Sequence, residues 1–112
     1  MARIAEVALF TKDVPRLTSF YEQLLGRSPD DSSPDHASFH LNEVTLFIHV
    51  AGEDGPADAP NRDHVAFALD QDEAAKRARA AGVDVVGPKD FYWGRSAYLE
   101  DPDGRVIELQ AT

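Results

Sequence analysis

The stretches "EVALF" (Glu6–Phe10) and "HVAFA" (His64–Ala68) carry one pattern twice, 58 residues apart. Each opens on an ionisable residue and continues as a short strand of small and large apolar side chains. The segments downstream of the two are also alike. After "RIAEVALFT", Asp13 is an N-cap with Pro15 in the first turn. Leu17, Phe20, Tyr21, Leu24 and Leu25 then recur at helical spacing, and Gly26 stops the helix. After "HVAFALD", the segment "QDEAAKRARAAG" is a helix with acidic residues first, basic residues later and Gly82 as its stop. Further strands close each half: "HASFHL" and "VTLFIHV" joined by "NE", then "VDVVGP", "RSAYLED" and "RVIELQ" with "DPDG" as a tight turn. "GRSPDDSSPD" is a loop by composition, and Ala51–Asp63 is a Gly/Pro/Asp-rich connector. The chain is therefore a single domain, 1–112, built from one supersecondary unit used twice, about 1–52 and about 62–112.

Four polar residues interrupt these apolar strands. Glu6 and His64 hold matching places in the first strand of each half, and His49 in "FIHV" matches Glu108 in "VIEL" at an offset of 59. Strand alternation puts Glu6 on a face with Ala8, His64 with Ala66 and Ala68, His49 with Phe47 and Thr45, and Glu108 with Val106 and Gln110. The large apolar residues point the other way, toward a helix layer, so all four polar residues can line one concave surface. A carboxylate buried in an apolar strand is costly unless it is paired or holds a metal. Two carboxylates and two imidazoles at matched places satisfy one another around a divalent cation, with Zn, Ni, Co, Mn or Fe(II) suited to the donor set. His36 and His40 are read as ordinary loop and surface residues.

Composition sets the bounds. No cysteine is present, which excludes disulfides, thiolate ligands and Cys nucleophiles. Twenty acidic residues against 11 basic ones give a net charge of −9, which argues against binding a phosphate backbone. An acidic surface of this kind suits a salt-adapted cytoplasm, although a genomic preference for Arg over Lys accounts for part of the bias. No apolar run is long enough for a membrane span, and the N-terminus carries no signal-peptide pattern, so a cytoplasmic location is expected.

The segments "EVALFTKDVPRLTSFYEQLLG", "DHVAFALD" and "GRSAYLEDPDGRVIEL" resemble the opening strand and helix, the second opening and the closing signature of the vicinal oxygen chelate superfamily. That superfamily includes glyoxalase I, extradiol dioxygenases, fosfomycin-modifying enzymes and bleomycin-resistance proteins. The resemblance spans essentially the whole chain. It implies an α+β fold of two βαβββ modules, whose curved mixed sheet forms a cleft around a divalent metal. It places Glu6, His49, His64 and Glu108 on the family's ligand positions. His and Glu are exchanged in the first module relative to glyoxalase I. The resemblance further implies a homodimer in which Glu6 and His49 of one chain meet His64 and Glu108 of the other.

Two functions follow as expectations. The first is a metal-dependent enzyme of the glyoxalase or lyase kind acting on a small oxygenated substrate, with Glu108 or Glu6 as general base. Phe39, Trp93, Arg95 and Tyr98 are its candidate pocket residues. Phe39 and Tyr98 correspond by the repeat offset, and Arg95 is suited to an anionic group. The second is a metal-free protein of the bleomycin-resistance kind that sequesters a cationic ligand. A fosfomycin-modifying or dioxygenase-type relative is the remaining alternative. No nucleic-acid or membrane partner is expected.

Overall fold

The computed structural model describes residues 2–51 and 63–112, and within them each half folds as strand, helix and three strands. The first half comprises β1 (Arg3–Thr11), α1 (Val14–Leu25), β2 (Asp31–Ser32), β3 (His36–Leu41) and β4 (Val44–Val50). The second comprises β5 (His64–Ala68), α2 (Gln71–Ala80), β6 (Val86–Phe91), β7 (Gly94–Glu100) and β8 (Val106–Gln110). Most of the expected connector, Ala51–Asp63, lies outside the described residues.

Local chemistry accounts for most boundaries. The Asp13 carboxylate accepts from the Arg16 N–H at 3.1 Å, and Gly26, at φ 70°, gives its N–H to the Glu22 carbonyl at 2.9 Å. Asp70 caps α2 in the same way, and Gly82 stops that helix as expected, its N–H donating to the Arg79 carbonyl at 3.0 Å while the Val83 N–H donates to the Ala78 carbonyl at 3.0 Å. Two expectations shift. The loop before β3 contains the two-residue strand β2, paired with Ser38 and Ala37. The strand expected from Val83 starts instead at Val86 and runs through Pro88 to Phe91. Pro88 is tolerated because β6 is an edge strand, and the register slips between Val86 and Lys89. At Gly87, φ is 91° and an added Cβ would meet the Lys89 nitrogen and the Ser96 carbonyl oxygen at 2.8 Å each. Only glycine fits there.

The eight strands form one curved, open, mixed sheet in the order β2-β3-β4-β1-β5-β8-β7-β6. The order reads the same from either end once each strand is exchanged for its counterpart. β1 and β5 meet antiparallel at the centre. β4 and β8 flank them in parallel pairings. The expected α+β fold with two like modules is therefore the observed one.

Helix α1 covers the outer face of the first half. Val14, Leu17 and Tyr21 pack on Ala37, Phe39, Leu41, Leu46, Ile48 and Val50, with Phe39 and Ile48 fully buried. The β3–β4 register sets Phe39 opposite Leu46 and Ala37 opposite Ile48, so these residues share the helix side. His36 opposite His49 and Ser38 opposite Phe47 share the other, concave side. Among the described residues, no helix is long and apolar enough to cross a membrane.

Candidate functional site

Strand register builds the site directly. The β1–β5 pairing sets Glu6 opposite Ala66, and Ala8 opposite His64. The parallel pairings extend these into two rows across the sheet. One row is Thr45–Glu6–Ala66–Glu108, and the other is Phe47–Ala8–His64–Val106. Ala8 and Ala66 are fully buried, and their methyl groups keep the space above the seam open.

Into that space point Glu6, His64 and Glu108, each offering a ligand atom within 4.8 Å of the other two. His64 and Glu108 are almost wholly buried, at 8% and 3% exposure. His64 Nε2 and Glu108 Oε1 are 3.1 Å apart, while Ser96 Oγ donates to Glu108 Oε2 at 2.7 Å. Trp93 Nε1 donates to Ser96 Oγ at 3.3 Å. Glu108 is thus held by both oxygens.

The two carboxyls answer differently to burial. Glu6 is pushed up from 4.5 to about 7, chiefly by burial and next by the charge of Glu108, against the pull of His64 and Gln110. Burial also raises Glu108. There the hydrogen bonds of His64 and Ser96, the attraction of His64 and the contribution of Gln110 prevail and hold it below the usual range. The group therefore brings two carboxyls to one imidazole and is short of positive charge. A divalent cation supplies that deficit, and one nitrogen with two carboxyl groups suits Mn, Fe(II), Co, Ni or Zn. An ion would compete with the His64–Glu108 hydrogen bond for the same ligand atoms. The donor set fits a metal.

These residues lie in a cavity of about 310 Å³ on the concave face. All four polar residues singled out in the sequence line it, as do Trp93 and Tyr98. The structure gathers only three of the four. His49 stands opposite Phe10, two residues beyond the row of His64, and its Nδ1 donates to the Val50 carbonyl at 2.9 Å. The Phe10 ring contacts both imidazoles, 5.6 Å from His49 and 5.8 Å from His64 between centroids. Two other candidates are elsewhere. Phe39 is core under α1, and Arg95 pairs with Asp72 at 2.8 Å on the surface. The repeat offset misplaced Phe39: Ser38 faces Phe47 as Tyr98 faces Glu108, so Ser38 is the counterpart of Tyr98.

A single chain is enough to assemble Glu6, His64 and Glu108, which corrects the expectation that they come from two chains.

Sequence reasoning passed over Phe10, Asp31, His36, Tyr92 and the cavity role of Phe47. Alternation carries the signal for two of these, since Phe10 lies four residues after Glu6 and Phe47 two before His49. His36 faces His49 across the hairpin, with Nε2 2.9 Å from Asp31 and Nδ1 2.8 Å from Ser33 Oγ. Asp31 and Tyr92 sit in a loop strand and a hairpin tip, where no period points to them.

The family described as Glyoxalase/Bleomycin resistance protein/Dioxygenase superfamily matches residues 3–109. No curated protein matches the chain. Among solved structures, an NAD-dependent benzaldehyde dehydrogenase from Legionella pneumophila superposes with a TM-score of 0.77 at 21% identity, covering 93% of this chain and 95% of that one. The Streptomyces coelicolor methylmalonyl-CoA epimerase in complex with 2-nitronate-propionyl-CoA gives 0.72 at 22% identity, covering 98% and 97%. A methylmalonyl-CoA epimerase in complex with methylmalonyl-CoA and NH4+ gives 0.74 at 22% identity, covering 100% and 96%. At these identities the likeness is one of fold.

Proposed function

Because this chain belongs to the Glyoxalase/Bleomycin resistance protein/Dioxygenase superfamily, we propose that it is a metal-dependent enzyme of the lyase or isomerase kind acting on a small oxygenated substrate. One observation carries this: Glu6, His64 and Glu108 offer ligand atoms within 4.8 Å of one another in one cavity. A bound divalent ion would polarise the substrate's oxygens and stabilise negative charge that develops on them.

The residues divide the remaining work. Glu108, fixed by His64 and Ser96, stays ionised and serves as an anchoring donor. Glu6, whose carboxyl burial raises to about 7 in the metal-free protein, is the general base, a carboxylate that leaves the ion to take the proton. Its carboxylate takes a proton from a substrate carbon next to an oxygenated carbon and returns it to a neighbouring atom. No oxidant or reductant is needed. Trp93 and Tyr98 supply aromatic wall.

Charge narrows the substrate. Among the described residues that line the cavity there is no Lys or Arg, and Arg95 is engaged elsewhere. An uncharged substrate suits these walls better than one carrying a phosphate or carboxylate. Two neighbours of like fold were solved in complex with 2-nitronate-propionyl-CoA and with methylmalonyl-CoA and NH4+. The protein is further proposed to work in the cytoplasm as a homodimer, with each cleft whole within one chain.

A second reading, metal-free sequestration of a cationic ligand, is favoured by a different observation. His64 and Ser96 already satisfy Glu108, and Phe10, Phe47, Tyr92 and Trp93 give the cavity an aromatic lining suited to a cation. Elemental analysis after loading with Mn, Fe(II), Co, Ni and Zn separates the two. The enzyme reading expects about one ion per chain, lost in both Glu108→Ala and His64→Ala. Absence of any bound ion after loading would sink it. A screen with methylglyoxal plus thiol, fosfomycin and catechols then identifies the reaction.

A further inference from the structure

The two rows of the sheet are related by the same exchange of halves that relates β1 to β5. Glu6 corresponds to His64, and Ala8 corresponds to Ala66. Glu108 lies beside Ala66 on β8, so its counterpart is the residue beside Ala8 on β4, which is Phe47. The same result comes from counting along the strands. His64 faces Val106 and Glu108 is two residues further; Glu6 faces Thr45 and Phe47 is two residues further. His49 is two residues further still, opposite Phe10.

From this we infer that Phe47 stands in the fourth donor place of the site. The chain then offers three protein donors and leaves the quarter above Phe47 to an oxygen of the incoming ligand. This rests on the metal reading above for its chemistry, and on strand register alone for its geometry. The Phe47 ring packs against both neighbouring imidazoles, 6.0 Å from that of His36 and 5.4 Å from that of His49 between centroids. No oxygen or nitrogen of the Phe47 side chain exists to bind an ion or to accept a proton. The fourth quarter is therefore an aromatic face, matched to an oxygen carried on an apolar or aromatic body.

The test is metal affinity, measured by calorimetry with Co²⁺ and Zn²⁺ on wild type, Phe47→His, Phe47→Ala and His49→Ala. Completing the donor set in Phe47→His raises affinity roughly tenfold or more. Phe47→Ala, which removes the ring and adds no donor, brings no such gain, and His49→Ala brings no tenfold loss. Phe47→Gln adds a weaker donor and replaces the histidine variant if thermal melts show that the latter does not fold. Wild-type binding with no gain in either donor variant overturns the placement and leaves the metal reading standing. A tenfold loss in His49→Ala overturns it too, by returning the fourth place to His49. Binding by Phe47→His without binding by wild type supports the placement and removes the three-donor metal reading. Binding by none of the proteins overturns both.

Discussion

Replacing Glu6 by Gln is expected to stabilise the metal-free protein at alkaline pH while removing a metal ligand. The sign follows from the raised carboxyl. Folding moves Glu6 from 4.5 to about 7, so the native state keeps a proton that the unfolded chain has already released. Stability from this group is fully present below 4.5 and is lost as pH rises through about 7. At about 1.4 kcal/mol per pH unit, the cost to wild type grows by about 2 kcal/mol between pH 5.5 and pH 8.5, and by less as solvent reaches the half-buried group. Gln has nearly the shape of the protonated acid and no titration. Differences in its hydrogen bonding do not change with pH, so they cancel from the comparison. For a domain of this length, about 2 kcal/mol corresponds to about 8 °C in Tm. The assay is thermal melting of both proteins across that pH range in the presence of a chelator. The Tm of Glu6→Gln should gain on wild type by several degrees as pH rises. With an ion at roughly 100 times its Kd, wild type gains about 2.7 kcal/mol, and the variant, which has lost a ligand, gains less. A Tm difference that does not change with pH would refute the charge argument.

Other substitutions separate site from scaffold. Ser96→Ala removes the hydroxyl that donates to Glu108 and is expected to destabilise the protein by about 1.5–3 kcal/mol in urea titration, with weaker metal binding. Phe39→Ala opens a cavity under α1 and should cost about 3–5 kcal/mol, yet metal affinity at a temperature where it stays folded should match wild type. Arg95→Ala breaks a surface pair with Asp72 and should change stability by under about 1 kcal/mol without altering ligand binding. Light scattering on the wild type should give a dimer mass, and a monomer that still binds its ion would confine the site to one chain.

The fold was legible because the repeat is written in hydrophobic periods and caps. Asp13, Gly26 and Asp70 act in the structure as their chemistry dictates. The site was legible to the level of a face and not to the level of a register. Side chains alternate with a period of two, so a two-residue slip keeps every residue on its side of the sheet. Matching "FIHV" to "VIEL" made that slip. It put His49 where Phe47 stands, and the face argument was blind to it. Glu6 and Phe47 are 41 positions apart while His64 and Glu108 are 44 apart, so a constant offset does not hold between the halves. Ser96 was legible as a strand residue, but its bond to Glu108 depends on a cross-strand neighbour that no local period reveals.

The seam between β1 and β5 is also where the two halves of the chain close on each other. Glu6 and Glu108 lie near opposite ends of the chain, and neither half alone contains both. Every pairing within a half closes a shorter loop than the pairing that joins the halves around the site. The three donors meet only when the two halves pair, so an ion held there would act as a clasp between them. It would slow the parting of the halves and have little effect on how fast either half forms.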